Sequence, residues 1–271
     1  MCYIDDLTLA HVLADTADAI SWRRFRAQDL QVTNKPDGTP VTDADIAVEK
    51  AIRSALTRAR PRDTVLGEEF EAQQPSGDAV ATRQWVIDPI DGTKNFLRGV
   101  PIWATLIALL DHGRPVVGLV SAPGLGRRWW AALGSGAFAG QHIGTGSPIT
   151  VSKVQQLADA SLCYASLHSW WQANRGEAFL QLTRQVWRTR AYGDFYGHML
   201  VAEGAVDVMV EPQLSLWDAA ALIPIVTEAA GTLTDLAGAP YADGAGLISS
   251  NGPLHAAVLA GLTPGQKGID P

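Results

Sequence analysis

Cysteine is almost missing from this 271-residue chain. Cys2 and Cys163 are its only two, one of them at the N-terminus, so no disulfide framework is implied. Long apolar runs are missing as well. No stretch approaches the ~18 residues of a membrane helix, and no basic region leads into an apolar one as in a secretory signal. These absences predict a cytoplasmic protein that contacts no membrane. Positive charge is never clustered: 21 Lys and Arg against 28 Asp and Glu leave a net charge of -7, which argues against a nucleic-acid partner. The six histidines (His11, His112, His142, His168, His198, His255) never fall within five residues of one another. A His/Cys zinc site is disfavoured, and any metal is expected to be a hard ion held by oxygen. There is no Walker A pattern and no G-x-G-x-x-G, since "GSGAFAG" at Gly134 to Gly140 reads as a hairpin. No internal repeat is present.

What remains is a composition, 47% hydrophobic and 18% charged, that suits one large domain or two modest ones. Leu7, Ala10, Leu13, Ala17 and Ile20 recur at helical spacing between Asp5 and about Ala27. "NKPDGTP" is a loop. A second helix is expected behind Thr42 as N-cap, with Asp45 three residues on and an end near Arg60-Pro61. "TVLGEEF" reads as a strand ending in acid, followed by a surface loop, "EAQQPSGDA". Two apolar strands meet at Asp111-His112-Gly113. The stretch Gln141 to Pro148 is the expected junction between an N-terminal half, 1–147, and a C-terminal half, 148–262. In the second half strands alternate with helices, among them Asn174 to Val186 and Trp217 to Ala230. Residues 263–271 are expected as a loose tail. Such alternation predicts layered α/β packing.

The chemistry-bearing stretch is "WVIDPIDGTKNF", Trp85 to Phe96. An apolar strand leads into two aspartates, Asp88 and Asp91. At ~4 Å and an effective dielectric near 20, such a pair costs about 4 kcal/mol, so a positive partner is expected. Pro89 fixes its own φ, and the Ile90 carbonyl can turn toward both carboxylates. Gly92 allows close backbone approach. Thr93 can open a short helix whose free N–H groups face an anion. Cations on one side and amides on the other suit a phosphate ester. Glu68 and Glu69 close another strand, Asp45 sits in a helix's first turn, Asp218 in that of another, and Glu211 at a strand exit. Each also has an ordinary explanation: a D-P-x-D-G surface turn, a solvated acid pair, a capping box with Thr42, a helix-dipole acid.

Together these acids match a pattern. "GEE" at Gly67 to Glu69, "WVIDPIDGT" at Trp85 to Thr93 and "WDAAALIPIVTEAAG" from Trp217 resemble the signatures of the inositol monophosphatase superfamily of Mg2+-dependent phosphatases, with Ala230 in place of a usual glycine. The likeness runs from about Asp5 to Leu262. It implies an α/β, layered αβαβα sandwich of the inositol monophosphatase/fructose-1,6-bisphosphatase type. It implies that Glu68, Asp88 and the Ile90 carbonyl hold one Mg2+, and that Asp88, Asp91 and Asp218 hold a second, with a third, weaker ion near Glu68. Asp45, Glu68 and Thr93 would be catalytic, Asp45 and Thr93 by orienting the attacking water. The Gly92 and Thr93 amides would hold phosphate oxygens. Hydrolysis would be direct, without a phosphoenzyme, and the subunits would pair as a homodimer.

The stretches "DPIDGTKNFLRGVPIWATLIALL" and "RAYGDFYGHMLVAEGAVDVMVEPQ" are similar to the histidinol-phosphate phosphatase branch. The small phosphorylated metabolite would then be histidinol phosphate. Its ammonium and imidazole would suit a pocket containing Asp194 and Glu211, with Arg190, Asp91 and Asp218 also at the substrate. Asp194 is equally explained as a helix N-cap. Inositol 1-phosphate, sugar phosphates and nucleotide 3'-phosphates are the alternative esters. A phosphate-binding regulator without activity is the alternative of another class, disfavoured because the acid set is complete.

Overall fold

The protein is described by a computed structural model covering residues 3–36, 38–72 and 82–263. Most of the expected loop at 71–79 and all but the first residue of the expected tail at 263–271 lie outside the described residues. Contacts divide the chain into two units, Met1–Pro148 with Trp217–Glu228, and Ile149–Leu216 with Ala229–Pro271.

The first unit opens with α1 (Ile4–Arg24), the hairpin β1 (Val32–Asn34) and β2 (Pro40–Thr42), and α2 (Asp43–Ala59). Thr42 caps α2 in the expected capping box with Asp45. The expected "NKPDGTP" loop is the turn of this hairpin. There follow β3 (Thr64–Gly67), β4 (Arg83–Asp91), α3 (Thr93–Leu97), β5 (Ala104–Asp111), β6 (Arg114–Ala122), β7 (Arg127–Ala132), β8 (Ala137–Gly140) and β9 (Ser147–Pro148). Among the described residues β3 to β9 form a seven-stranded sheet in sequence order, with β3 and β4 parallel and the other neighbours antiparallel. Side chains alternate between its faces. Trp85, Ile87, Ile107, Leu109, Val117 and Leu119 pack against Leu13 of α1 and Val48, Ile52 and Leu56 of α2. Each such fully buried side chain contributes about 1.5–3 kcal/mol.

The second unit carries β10 (Ser161–Tyr164), α4 (Leu167–Gln172), α5 (Gly176–Thr183), β11 (Arg188–Arg190), α6 (Asp194–Ala202) and β12 (Val208–Glu211). The chain then runs through α7 (Leu216–Ala219) and α8 (Leu222–Glu228), whose residues 217–228 belong to the first unit, before the second unit resumes with β13 (Thr232–Thr234), β14 (Leu247–Ser250) and α9 (His255–Leu262). Among the described residues its five strands lie in the order β11-β10-β12-β14-β13. Leu162, Val208, Val210 and Ile248 face Trp170, Phe179, Leu182 and Val258 of α4, α5 and α9. Gly197 of α6 lies against Cys163 and Met209 on the other face.

Two expectations need correction. The helix expected from Trp217 to Ala230 is broken after Ala219. Pro224 is the cause: a proline ring clashes with the carbonyl four residues back, here Ala220. The expected C-terminal half also included Asp218, whereas Trp217–Glu228 packs in the first unit. It does so because β6 is bare at Gly118, where an added Cβ would lie 2.1 Å from the Ala221 carbonyl oxygen. Glu228 pins the far end by accepting the Gly134 and Gly136 amides at 2.8 Å each.

Candidate active site

In a regular strand, residues three apart point to opposite faces, so Asp88 and Asp91 would be separated by the sheet. β4 prevents this with a bulge. Asp88 pairs with Leu106 and Asp91 with Ala104, so Pro89 and Ile90 stand together against Thr105. The extra residue returns Asp91 to the face of Asp88. Thr105 Oγ1 donates to the Pro89 carbonyl at 2.8 Å, and the Ile90 amide donates to Asp88 Oδ1 at 2.9 Å. Proline suits a position removed from the ladder because it has no N–H to satisfy.

The face chosen is the one covered by α7 and α8. Val86, Ala108 and Gly118 lie in one cross-strand row on it, and Asp88 is two residues beyond Val86. Asp218 enters from α7, and one carboxylate oxygen from each of Asp88, Asp91 and Asp218 lies within 4.8 Å of the others. Asp88 is buried, and its carboxyl is held well above the usual 3.8, first by burial and then by the charges of Glu68, Asp91, Asp218 and Asp45.

The remaining acids surround this trio. Glu68 follows β3, whose Gly67 pairs with Ile87 beside Asp88. Lys35 donates to Glu68 at 2.7 Å and pairs with Glu69 at 2.9 Å. These two bonds raise the lysine pKa against the opposing effect of burial. Burial lifts Glu69 to about 7, reinforced by Glu68 and opposed by Lys35. Asp45 is fully buried. Its Oδ2 accepts from the amide and hydroxyl of Thr42 at 2.8 and 2.5 Å, whereas Oδ1 has no hydrogen-bond partner among the described residues. Burial brings its pKa to about 6, against the Thr42 bonds and helped by the charge of Glu68. Gly92 caps α3 with a φ of 84° that favours glycine, and Thr93 Oγ1 donates to the Ile90 carbonyl at 3.0 Å.

This arrangement fits a divalent metal. Three carboxylates converge, a buried carboxylate oxygen lacks a donor, and all the donors are hard oxygens of the kind Mg2+ and Ca2+ select. Uncompensated, such packing of like charge is unfavourable.

The remaining expected residues belong to the second unit. Arg190 is exposed and donates to the Thr189 carbonyl at 2.8 Å. Asp194 is the first residue of α6, and Gly193 rather than Asp194 is its N-cap. Its φ of 49° is left-handed, a strained setting for a residue with a Cβ. Glu211 is buried with an oxygen 3.6 Å from His198 Nε2. Sequence reasoning missed Lys35, Thr105 and a buried pair on α2, Glu49 and Arg53. The last left a signal: an acid and a base four apart, flanking Ile52 on the apolar side of the helix.

Comparison with known proteins agrees with this geometry. The model of the inositol monophosphatase family matches residues 6–265. The histidinol-phosphatase of Streptomyces coelicolor is 56% identical over 264 residues, covering 96% of this chain and 97% of that protein. That of Mycobacterium tuberculosis is 54% identical over 262 residues, covering 96% and 99%. Among solved structures, an inositol monophosphatase from Zymomonas mobilis matches with a TM-score of 0.82 at 33% identity, over 97% of this chain and 99% of that one. Since the match runs almost end to end and includes the bulged strand that gathers the aspartates, the chain belongs to the inositol monophosphatase family, a family of metal-dependent enzymes.

Proposed function

We propose that this protein is a phosphoric monoester hydrolase whose substrate is histidinol phosphate. The observation that carries the reading is the β4 bulge, which gathers Asp88, Asp91 and Asp218 so that their oxygens lie within 4.8 Å of one another. The Streptomyces and Mycobacterium relatives, each named a histidinol-phosphatase, support the choice of ester.

Glu68, Asp88 and the Ile90 carbonyl would hold one Mg2+, and Asp88, Asp91 and Asp218 another, with a third near Glu68. When bound, these ions supply Lewis acidity to a water and to the phosphate oxygens. The chain's own residues do the rest. Thr93 Oγ1 donates its hydrogen bond to the Ile90 carbonyl, which leaves the hydroxyl lone pairs to accept from the attacking water. Asp45 offers its unpartnered Oδ1 to hold the water's proton. The Gly92 and Thr93 amides receive phosphate oxygens. Water oxygen bonds to phosphorus, the ester P–O bond breaks, and the proton passes to the departing alkoxide, giving histidinol and inorganic phosphate. Asp194, Glu211 and Arg190 are the residues proposed for substrate choice, since an ammonium and an imidazole suit carboxylates. The strained φ of Asp194 is the kind of cost retained at functional positions.

The reading includes a homodimer and a cytoplasmic setting. Among the described residues no helix is long and apolar enough to cross a membrane. The test is phosphate release, with Mg2+ or with EDTA, from histidinol phosphate, inositol 1-phosphate, a 3',5'-bisphosphorylated nucleotide and fructose 1,6-bisphosphate. The highest kcat/KM is expected for histidinol phosphate, with EDTA abolishing it. A higher kcat/KM for another ester overturns the substrate, and no Mg2+-dependent release from any of the four overturns the activity.

A further inference from the structure

Two buried charges have no part in the reaction just described. Glu49 of α2 is wholly inaccessible, and Arg53, one turn on, is nearly so. Arg53 Nε donates to Glu49 Oε1 at 2.7 Å. A buried ion pair is poor evidence of stability, because desolvation consumes most of its attraction and an apolar pair often does as well.

What the pair grips is the segment that presents Glu68. Glu49 Oε2 accepts the Glu69 amide at 2.8 Å, and its Oε1 accepts the Phe70 amide at 3.3 Å. Arg53 Nη1 donates to the Val65 carbonyl at 3.3 Å and Nη2 to the Phe70 carbonyl at 2.9 Å. Glu49 Oε1 also occupies the space over Gly67, where a Cβ would lie 2.0 Å from it. Glu68 therefore hangs between a grip on β3 and a grip on the turn that follows. Its charge is among those repelling Asp88; Lys35 holds the carboxylate itself, and the Glu49–Arg53 grip holds the backbone that carries it.

We propose that the Glu49–Arg53 pair is a positioning device for metal loading, holding residues 65–70 so that Glu68 stays at the bulge before any ion arrives. The proposal rests on the reading of Glu68 as a metal ligand. It places the cost of losing the pair in metal affinity and leaves the reaction at saturating metal largely intact. Groups that orient ligands commonly change metal affinity by about 10–100-fold when removed.

The test uses the full chain carrying Glu49→Gln or Arg53→Lys. The first loses the charge that both amides and the guanidinium converge on, and the second keeps a cation but loses the fork. Mg2+ alone is titrated by calorimetry, and Mg2+ activation of phosphate release is followed in parallel. The Mg2+ dissociation constant and half-activating concentration are expected to rise about tenfold, with kcat at saturating Mg2+ within about threefold of the parent. A purely structural role would instead lower the melting temperature with and without Mg2+ alike and leave the Mg2+ constant alone. If Glu49→Gln does not fold, Arg53→Lys decides. A Mg2+ constant within about twofold of the parent in a folded variant overturns the proposal. Glu68→Gln is the control: if it leaves the Mg2+ constant unchanged, the ligand reading itself has failed, whatever the other variants do.

Discussion

Replacing Asp88 by Asn should have opposite effects on the metal-free and metal-loaded protein. The side chain is 1% exposed and ringed by Asp91, Asp218, Glu68 and Asp45. At 4.8 Å, the outer limit for the trio, and an effective dielectric of 20, one like-charge pair costs roughly 3 kcal/mol. Two such pairs cannot express their full cost, because the carboxyl takes up a proton instead. Protonating a group of ordinary pKa 3.8 at neutral pH costs about 4 kcal/mol, which caps the penalty. Asparagine removes it.

The sign follows from linkage. A carboxyl whose folded pKa is raised binds more protons folded than unfolded, so metal-free stability falls as pH rises above about 4. Asp45 at about 6 and Glu69 at about 7 extend that slope toward neutrality. Asp88→Asn in EDTA should therefore melt several degrees above the parent, at ~2–4 °C per kcal/mol, and show a flatter pH profile. Saturating Mg2+ should stabilise the parent by about 3 kcal/mol at a hundredfold excess over its dissociation constant, and the variant hardly at all, with phosphate release abolished. Thermal melts with and without Mg2+ across pH read all of this. A variant that melts at or below the parent in EDTA, or that keeps the Mg2+ shift or near-normal turnover, refutes the electrostatic reading.

Three further outcomes can be checked. Ala230 has a φ of 65°, so Ala230→Gly should relieve left-handed strain of about 1–2 kcal/mol, less the backbone entropy glycine loses; urea unfolding should show a gain of up to ~1 kcal/mol, and a loss would contradict the strain. Gly118→Val should push the Ala221 carbonyl, 2.1 Å from the added Cβ, off β6 and displace Asp218; Mg2+ affinity by calorimetry should fall about tenfold or more, and an unchanged value would show that α7 is placed some other way. His198 is fully buried and brought down to about 3 by burial. Its neutral form is favoured in the fold, so stability is lost as pH falls below the ordinary 6.5 toward 3. His198→Gln should make urea midpoints less steep across that window, and an unaltered slope would mean the acid response lies elsewhere.

Local features were legible in the residues themselves. The Thr42–Asp45 capping box, the hairpin at Asp111-His112-Gly113 and the Asp88-Pro89-Ile90-Asp91 turn each depend on neighbours a few positions apart. The acids that gather were recognisable as a set from their surrounding motifs, Asp218 with Asp88 and Asp91 among them. The break ahead of Pro224 was legible in principle, since the clash reaches only four residues back. Other features had no local sign. The register that sets Pro89 and Ile90 against Thr105 is fixed by β5. The return of Trp217–Glu228 to the first unit is fixed by the bare backbone of Gly118 and by two amides on Glu228. The grip of Glu49 and Arg53 is fixed by the distance from α2 to the end of β3. Propensity, capping and turn chemistry are settled within a few residues of chain. Which oxygens stand close enough to share a cation depends on pairings between strands and helices far apart in sequence, and those exist only once the core has packed.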